Sequence, residues 1–246
     1  MVRRLVIGIT LFAAILVIGG LGYFAIPQPL LPEARAALAS TADVAFSRED
    51  DRYVFEPLAT AATTGLILYP GGKVDPVAYA PTARDLAGLG YLVEIVPMPA
   101  NLAVLGIDRA SEVIAAHPEI KRWAIGGHSL GGSMAAQYLA SHPGSAQGLV
   151  LWASYSAATL QGAGESSFRS LLVYGSLDAG VAGYTSGEHI ANLGAPPKVV
   201  VIEGGNHEQM GWYTGQPNDP PATISRDEQQ RQLIIAMATF LNSLAQ

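Results

Sequence analysis

Residues 127–131 read Gly-His-Ser-Leu-Gly, the spacing G-x-S-x-G. A serine hydroxyl is a useful nucleophile when a base takes its proton and the backbone lifts it clear of the chain. Small residues two positions either side permit the sharp turn that does the lifting. The pentapeptide alone is weak, since 27 glycines in 246 residues make a chance match easy. A base and an acid further along would give it chemical meaning. His207, in Gly204-Gly205-Asn206-His207, can take the Ser129 proton and return it to a leaving group. Asp178, in Gly175-Ser176-Leu177-Asp178, can hold the imidazole tautomer and stabilise the imidazolium. Such a set attacks a carbonyl carbon and needs two backbone N–H donors for the oxyanion. Leu130 N–H is one; the loop Pro70-Gly71-Gly72-Lys73 supplies the other, by position Gly72, with Lys73 as the alternative.

Plainer readings stand beside these. Asp178 could cap a helix, His207 could be an ordinary loop histidine, and Gly71-Gly72 could be a simple turn. Glu203 is nearer to His207 in sequence and is the alternative acid. His128 reads as a packing or substrate-lining residue, because a neighbour on the elbow points away from the serine oxygen. Lys73 and Trp212 are further candidates for lining a pocket, although Trp212 and Tyr213 equally suit packing on the sheet edge. His117, His142 and His189 read as surface or capping residues. No H-E-x-x-H spacing, no G-x-G-x-x-G after a strand and no phosphate loop occurs, so neither a metal nor a nucleotide cofactor is expected.

The elements that must position these groups alternate. Strand-like runs occupy 65–69, 91–96, 122–126, 148–152, 170–174 and 198–202, with a short antiparallel pair at 43–46 and 53–56. Helical patterns occupy 75–88, 102–116, 132–141 and 225–244, the last with Leu233, Ile234, Met237, Phe240 and Leu241 on one face. This alternation predicts an α/β domain with a mainly parallel sheet flanked by helices. Each candidate group falls just past the carboxyl end of a strand, where such sheets bind ligands.

Composition narrows the partners. A net charge of −6 with no basic patch argues against nucleic acid. The absence of cysteine excludes disulfides, thiol catalysis and cysteine-ligated zinc. Arg3 and Arg4 precede an uncharged run from Leu5 to Ile26, long enough to cross a hydrocarbon core of roughly 30 Å. Residues 1–26 are therefore read as a membrane anchor with the remainder outside the cytoplasm. The alternative is a signal segment cleaved near Ala34-Arg35-Ala36, giving a secreted protein. Residues 27–42, with three prolines, read as a linker, and 43–246 as the catalytic domain.

From Gly65 onward the chain resembles the α/β-hydrolase superfamily. The likeness rests on Tyr69-Pro70-Gly71-Gly72, on Gly126 to Gly132, on Gly175 to Asp178, on Gly204 to His207, and on the order Ser…Asp…His. It looks closest to small bacterial members of the dienelactone-hydrolase-like or carboxylesterase-like branch, often membrane-anchored. The resemblance implies a serine hydrolase acting on a small-molecule ester or thioester through an acyl-enzyme. Amide or peptide cleavage would use the same triad, and a non-catalytic, membrane-tethered binding domain is the alternative of another class. Pro70-Gly71-Gly72 replaces the His-Gly-Gly of many relatives. The short stretch from Ser154 to Ser170, where relatives insert a lid, implies a minimal cap and an open site, against lid closure on lipid.

Overall fold

The computed structural model describes residues 19–20, 22–160 and 168–244. Most of the apolar run Leu5–Ile26 lies outside them. Among the described residues no helix is long and apolar enough to cross a membrane.

Eight strands form one sheet: β1 (Val44–Glu49), β2 (Arg52–Pro57), β3 (Thr64–Tyr69), β4 (Leu92–Ile95), β5 (Arg122–His128), β6 (Gly148–Trp152), β7 (Arg169–Gly175) and β8 (Lys198–Ile202). Their spatial order is β1-β2-β4-β3-β5-β6-β7-β8, parallel from β4 onward. The β1–β2 hairpin is antiparallel and longer than the sequence suggests, because Glu49 pairs with Arg52 across a two-residue turn. β3 and β6 are buried along their whole length, which is why they read as continuous apolar runs.

Helices Ala80–Gly88 and Arg226–Leu244 contact each other and cover one face; Leu130–Ser141 packs on β5 and β6. The C-terminal helix buries Leu233, Met237, Phe240 and Leu241, while Ile234 is only partly buried. Two elements differ from the expectation. Gly106 departs from helical dihedrals and breaks the 102–116 pattern into 3₁₀ turns, leaving an α-helix only over Ala110–Ala116. Residues 27–42 are not a free linker. Leu30 bridges to Tyr213, Pro32–Ala36 is a helix, and Ala34 and Ala37 are fully buried. No cap domain stands over the sheet among the described residues.

Register brings the chemistry together. Tyr69 lies opposite Gly127 and His128 opposite Trp152, so the loop after β3 and the turn after β5 are neighbours. Gly175 lies opposite Ile202, which sets the loops carrying Asp178 and His207 side by side.

Candidate active site

Ser129 sits between β5 and helix Leu130–Ser141 with φ 52° and ψ −122°, a conformation hostile to a side chain. Such a residue costs roughly 1–3 kcal/mol and persists only when its surroundings hold it. Here its N–H donates to Trp152 O at 2.9 Å, and its carbonyl accepts from Ser154 Oγ at 2.6 Å and from Gly132 N–H at 3.1 Å. The flanking glycines are required by close approach. A Cβ on Gly127 would lie 2.3 Å from the Tyr69 carbonyl oxygen, and one on Gly131 2.1 Å from it.

The oxyanion donors follow from which N–H groups are already committed. Gly71 N–H donates to Tyr79 Oη at 3.0 Å, and Lys73 N–H to Asn101 O at 2.9 Å. Gly72 N–H has no partner among the described residues, nor has Leu130 N–H at the helix start. Gly72 also lies against Leu130, since a Cβ there would sit 3.4 Å from Leu130 Cδ2. Of the two candidates on this loop, the structure leaves Gly72 free and Lys73 occupied. Ser129, Leu130, Gly72 and Lys73 are all half-buried.

Asp178 and His207 are joined. His207 Nδ1–H donates to Asp178 Oδ2 at 2.8 Å. Asp178 Oδ1 accepts Gly180 N–H at 2.7 Å and the Tyr184 hydroxyl at 3.0 Å, so the carboxylate is gripped by three donors. Asp178 thus does brace the following turn, while its other oxygen faces the imidazole. Burial and the Asp178 charge push the Tyr184 hydroxyl up, which keeps it a donor. Glu203 is exposed and makes no contact with His207. His207 Nε2 and Ser129 Oγ carry no hydrogen bond among the described residues; such contacts often tighten only with substrate bound.

His128 is fully buried, its ring centroid 4.4 Å from that of His207. It does not line a substrate site, because the elbow turns it into the core. Tyr79 Oη accepts Gly71 N–H and shares a second hydrogen bond with His128 Nδ1 at 2.9 Å. Burial lowers the His128 pKa and keeps the ring neutral. The chain Gly71–Tyr79–His128 therefore runs from the oxyanion loop to the underside of His207. Trp212 is also displaced from the expected role. Its side chain lines a cavity of about 240 Å³ with Asp227, Gln230 and Ile235, a cavity to which Ser129 does not contribute. Tyr213 is fully buried.

Several supporting residues were not apparent from sequence. Asp219 accepts the N–H groups of His207 (3.2 Å) and Glu208 (2.8 Å). Gln229 accepts Asn206 N–H at 3.0 Å and donates to Asn206 O at 2.7 Å. One signal did exist. Gln229 and Gln230 precede Leu233 by four and three positions, so two amides lie on the helix's buried stripe. Buried amides must find partners.

The sequence profile of the alpha/beta hydrolase family matches residues 65–231, and the chain belongs to that family. Among curated proteins none matches its sequence. Similar solved structures include carboxyl esterase 2 of the mycorrhizal fungus Tuber melanosporum, 13% identical with a TM-score of 0.59, covering 83% of this chain and 87% of that one. A predicted CIB-like hydrolase of Thermoplasma acidophilum is 18% identical with a TM-score of 0.56, covering 82% and 100%. The thermophilic esterase Est2 of the planctomycete Thermogutta terrifontis is 14% identical with a TM-score of 0.55, covering 82% and 92%. At these identities the likeness speaks for the fold.

Proposed function

We propose that the protein is a serine hydrolase that cleaves a carboxylic ester or thioester, held outside the cytoplasm by its N-terminal segment. The observation that carries the reading is the strained Ser129 backbone beside a buried Asp178–His207 pair. Strain of this kind is maintained where it serves presentation of a side chain. His207 Nε2 takes the Ser129 proton as Oγ bonds to the acyl carbon. The carbonyl oxygen gains the negative charge between the N–H groups of Gly72 and Leu130. Collapse breaks the bond to the alcohol or thiol, which leaves with the His207 proton. Water, deprotonated by the same imidazole, then releases the acid and restores Ser129. Asp178 holds the Nδ1–H tautomer and stabilises the imidazolium as it forms. The Thermogutta esterase is also known phosphorylated by paraoxon, an organophosphate, in keeping with this chemistry.

A fluorophosphonate probe tests the proposal. Wild-type protein should be labelled and Ser129→Ala should not. Folded wild-type protein that stays unlabelled would sink the reading.

A further inference from the structure

The path of the chain at the end of the apolar run has a bearing on substrate. Residues 22–31 do not leave the domain at random but cross the rim of the site. Lys73, next to Gly72, sets its ammonium 3.5 Å from the Tyr23 ring centroid. Its carbonyl accepts Gln28 N–H at 2.9 Å. Asn101, which accepts Lys73 N–H, donates its side-chain amide to Phe24 O at 3.2 Å and to Ala25 O at 3.3 Å. Beyond these, Leu31 N–H donates to Trp212 O and Thr214 N–H to Pro29 O, on the loop that follows His207. Two of the loops that bear the chemistry are thereby stitched to the segment that continues into Leu5–Ile26.

Exposed apolar side chains flank the stitched segments in sequence. Tyr23 and Ile26 are exposed, and so are Val104 and Leu105, three and four residues past Asn101. An aromatic ring and a lysine at the end of an apolar run are the residues that favour the boundary between bilayer and water. Exposed aliphatic side chains would lose their contact with water at the same boundary.

We infer that the site opens onto the membrane surface and that its substrates are acyl esters dissolved in that bilayer. The inference rests on the hydrolase and anchor readings above. With the anchor crossing the membrane, Lys73, the neighbour of Gly72, packs on Tyr23 at the end of that anchor. A long-chain ester then reaches Ser129 by moving sideways out of the lipid, while its water-soluble counterpart arrives from bulk.

The test uses the full chain in vesicles of phosphatidylcholine and phosphatidylglycerol. Two substrates are compared: 4-methylumbelliferyl oleate, which partitions into the bilayer, and 4-methylumbelliferyl acetate, which stays in water. A 20-residue Gly/Ser spacer inserted between Ile26 and Pro27 would let the domain move about 25 Å from the anchor. The spacer should lower the oleate rate about tenfold or more through lost effective concentration, and leave the acetate rate within about twofold. Equal oleate rates with and without the spacer would overturn the inference. So would acetate turnover without oleate turnover, or a mature chain that begins near Ala37. Loss of both activities together with absent fluorophosphonate labelling would instead mean that the hydrolase reading itself has failed.

Discussion

Among the described residues, two carboxylate–histidine pairs have a fully or nearly fully buried carboxylate, and they are built for opposite ends. Asp178 and His207 meet at 2.8 Å at the carboxyl edge of the sheet. Glu94, fully buried on β4, meets His117 Nε2 at 2.5 Å, an ion-pair contact outside hydrogen-bond alignment. His117 is committed on both nitrogens, because Nδ1 also meets Glu119 Oε1 at 2.8 Å. Arg52 adds its guanidinium 3.4 Å from Glu94. No nitrogen is left there to exchange a proton with anything else. His207 spends Nδ1 on Asp178 and keeps Nε2 without a hydrogen bond among the described residues. A carboxylate beside a histidine is therefore not a catalytic signature by itself. What matters is whether the second nitrogen is left to face a nucleophile.

The comparison breaks most visibly at the acid. Asp178→Asn should leave the protein folded yet lower kcat on a nitrophenyl ester by about four orders of magnitude, as the imidazole loses its tautomer. Undiminished turnover would remove Asp178 from the mechanism and erase the distinction drawn between the two pairs. A smaller effect belongs to Tyr184. Its hydroxyl reaches both Asp178 oxygens, at 3.0 and 3.2 Å, and Gly180 makes room for the ring: a Cβ there would lie 2.2 Å from that hydroxyl. Tyr184→Phe removes one donor of three. It should cut kcat about tenfold with KM nearly unchanged, the scale typical of groups that orient a functional residue. A variant that loses thermal stability while keeping kcat would make Tyr184 a packing residue only.

Ser129, Asp178 and His207 stood out in the sequence because each follows an apolar strand, and the register of a parallel sheet aligns those ends. Tyr184 gave no such signal: it lies six residues past Asp178 on a four-residue helix, Val181–Tyr184, whose direction is set by tertiary packing. The stretch 27–42 misled for a related reason. Prolines that suit a linker also suit an extended strap, and the partners of the Gln28 side chain and of Leu30 lie more than 180 residues away. Gly72 and Lys73 could not be separated by sequence, since only the carbonyl of Asn101, on a different loop, decides which N–H is spent. His117 looked like a surface residue because its partner, Glu94, is hidden in a strand that otherwise reads as apolar.

That second pair makes the smallest prediction, and its sign can be worked out. Contact with Glu94, helped by Glu119 and opposed by burial, raises His117 to about 9. An unfolded histidine titrates near 6.5, so between the two values the native state holds a proton that the unfolded chain has released. Stabilisation by the charged imidazole is complete below about pH 6.5 and is lost as pH rises through about 9. Half-burial and solvent screening hold the effect to the order of 1 kcal/mol, about 2–4 °C in Tm for a domain of this size. Melting curves from pH 6.5 to 9.5 should show that decline in the wild type and a flatter profile in His117→Gln. Turnover by His117→Gln at pH 7 should match the wild type. If the variant lost turnover with its stability intact, the Glu94–His117 pair would be coupled to the site, and the division between a clamped histidine and a working one would fall.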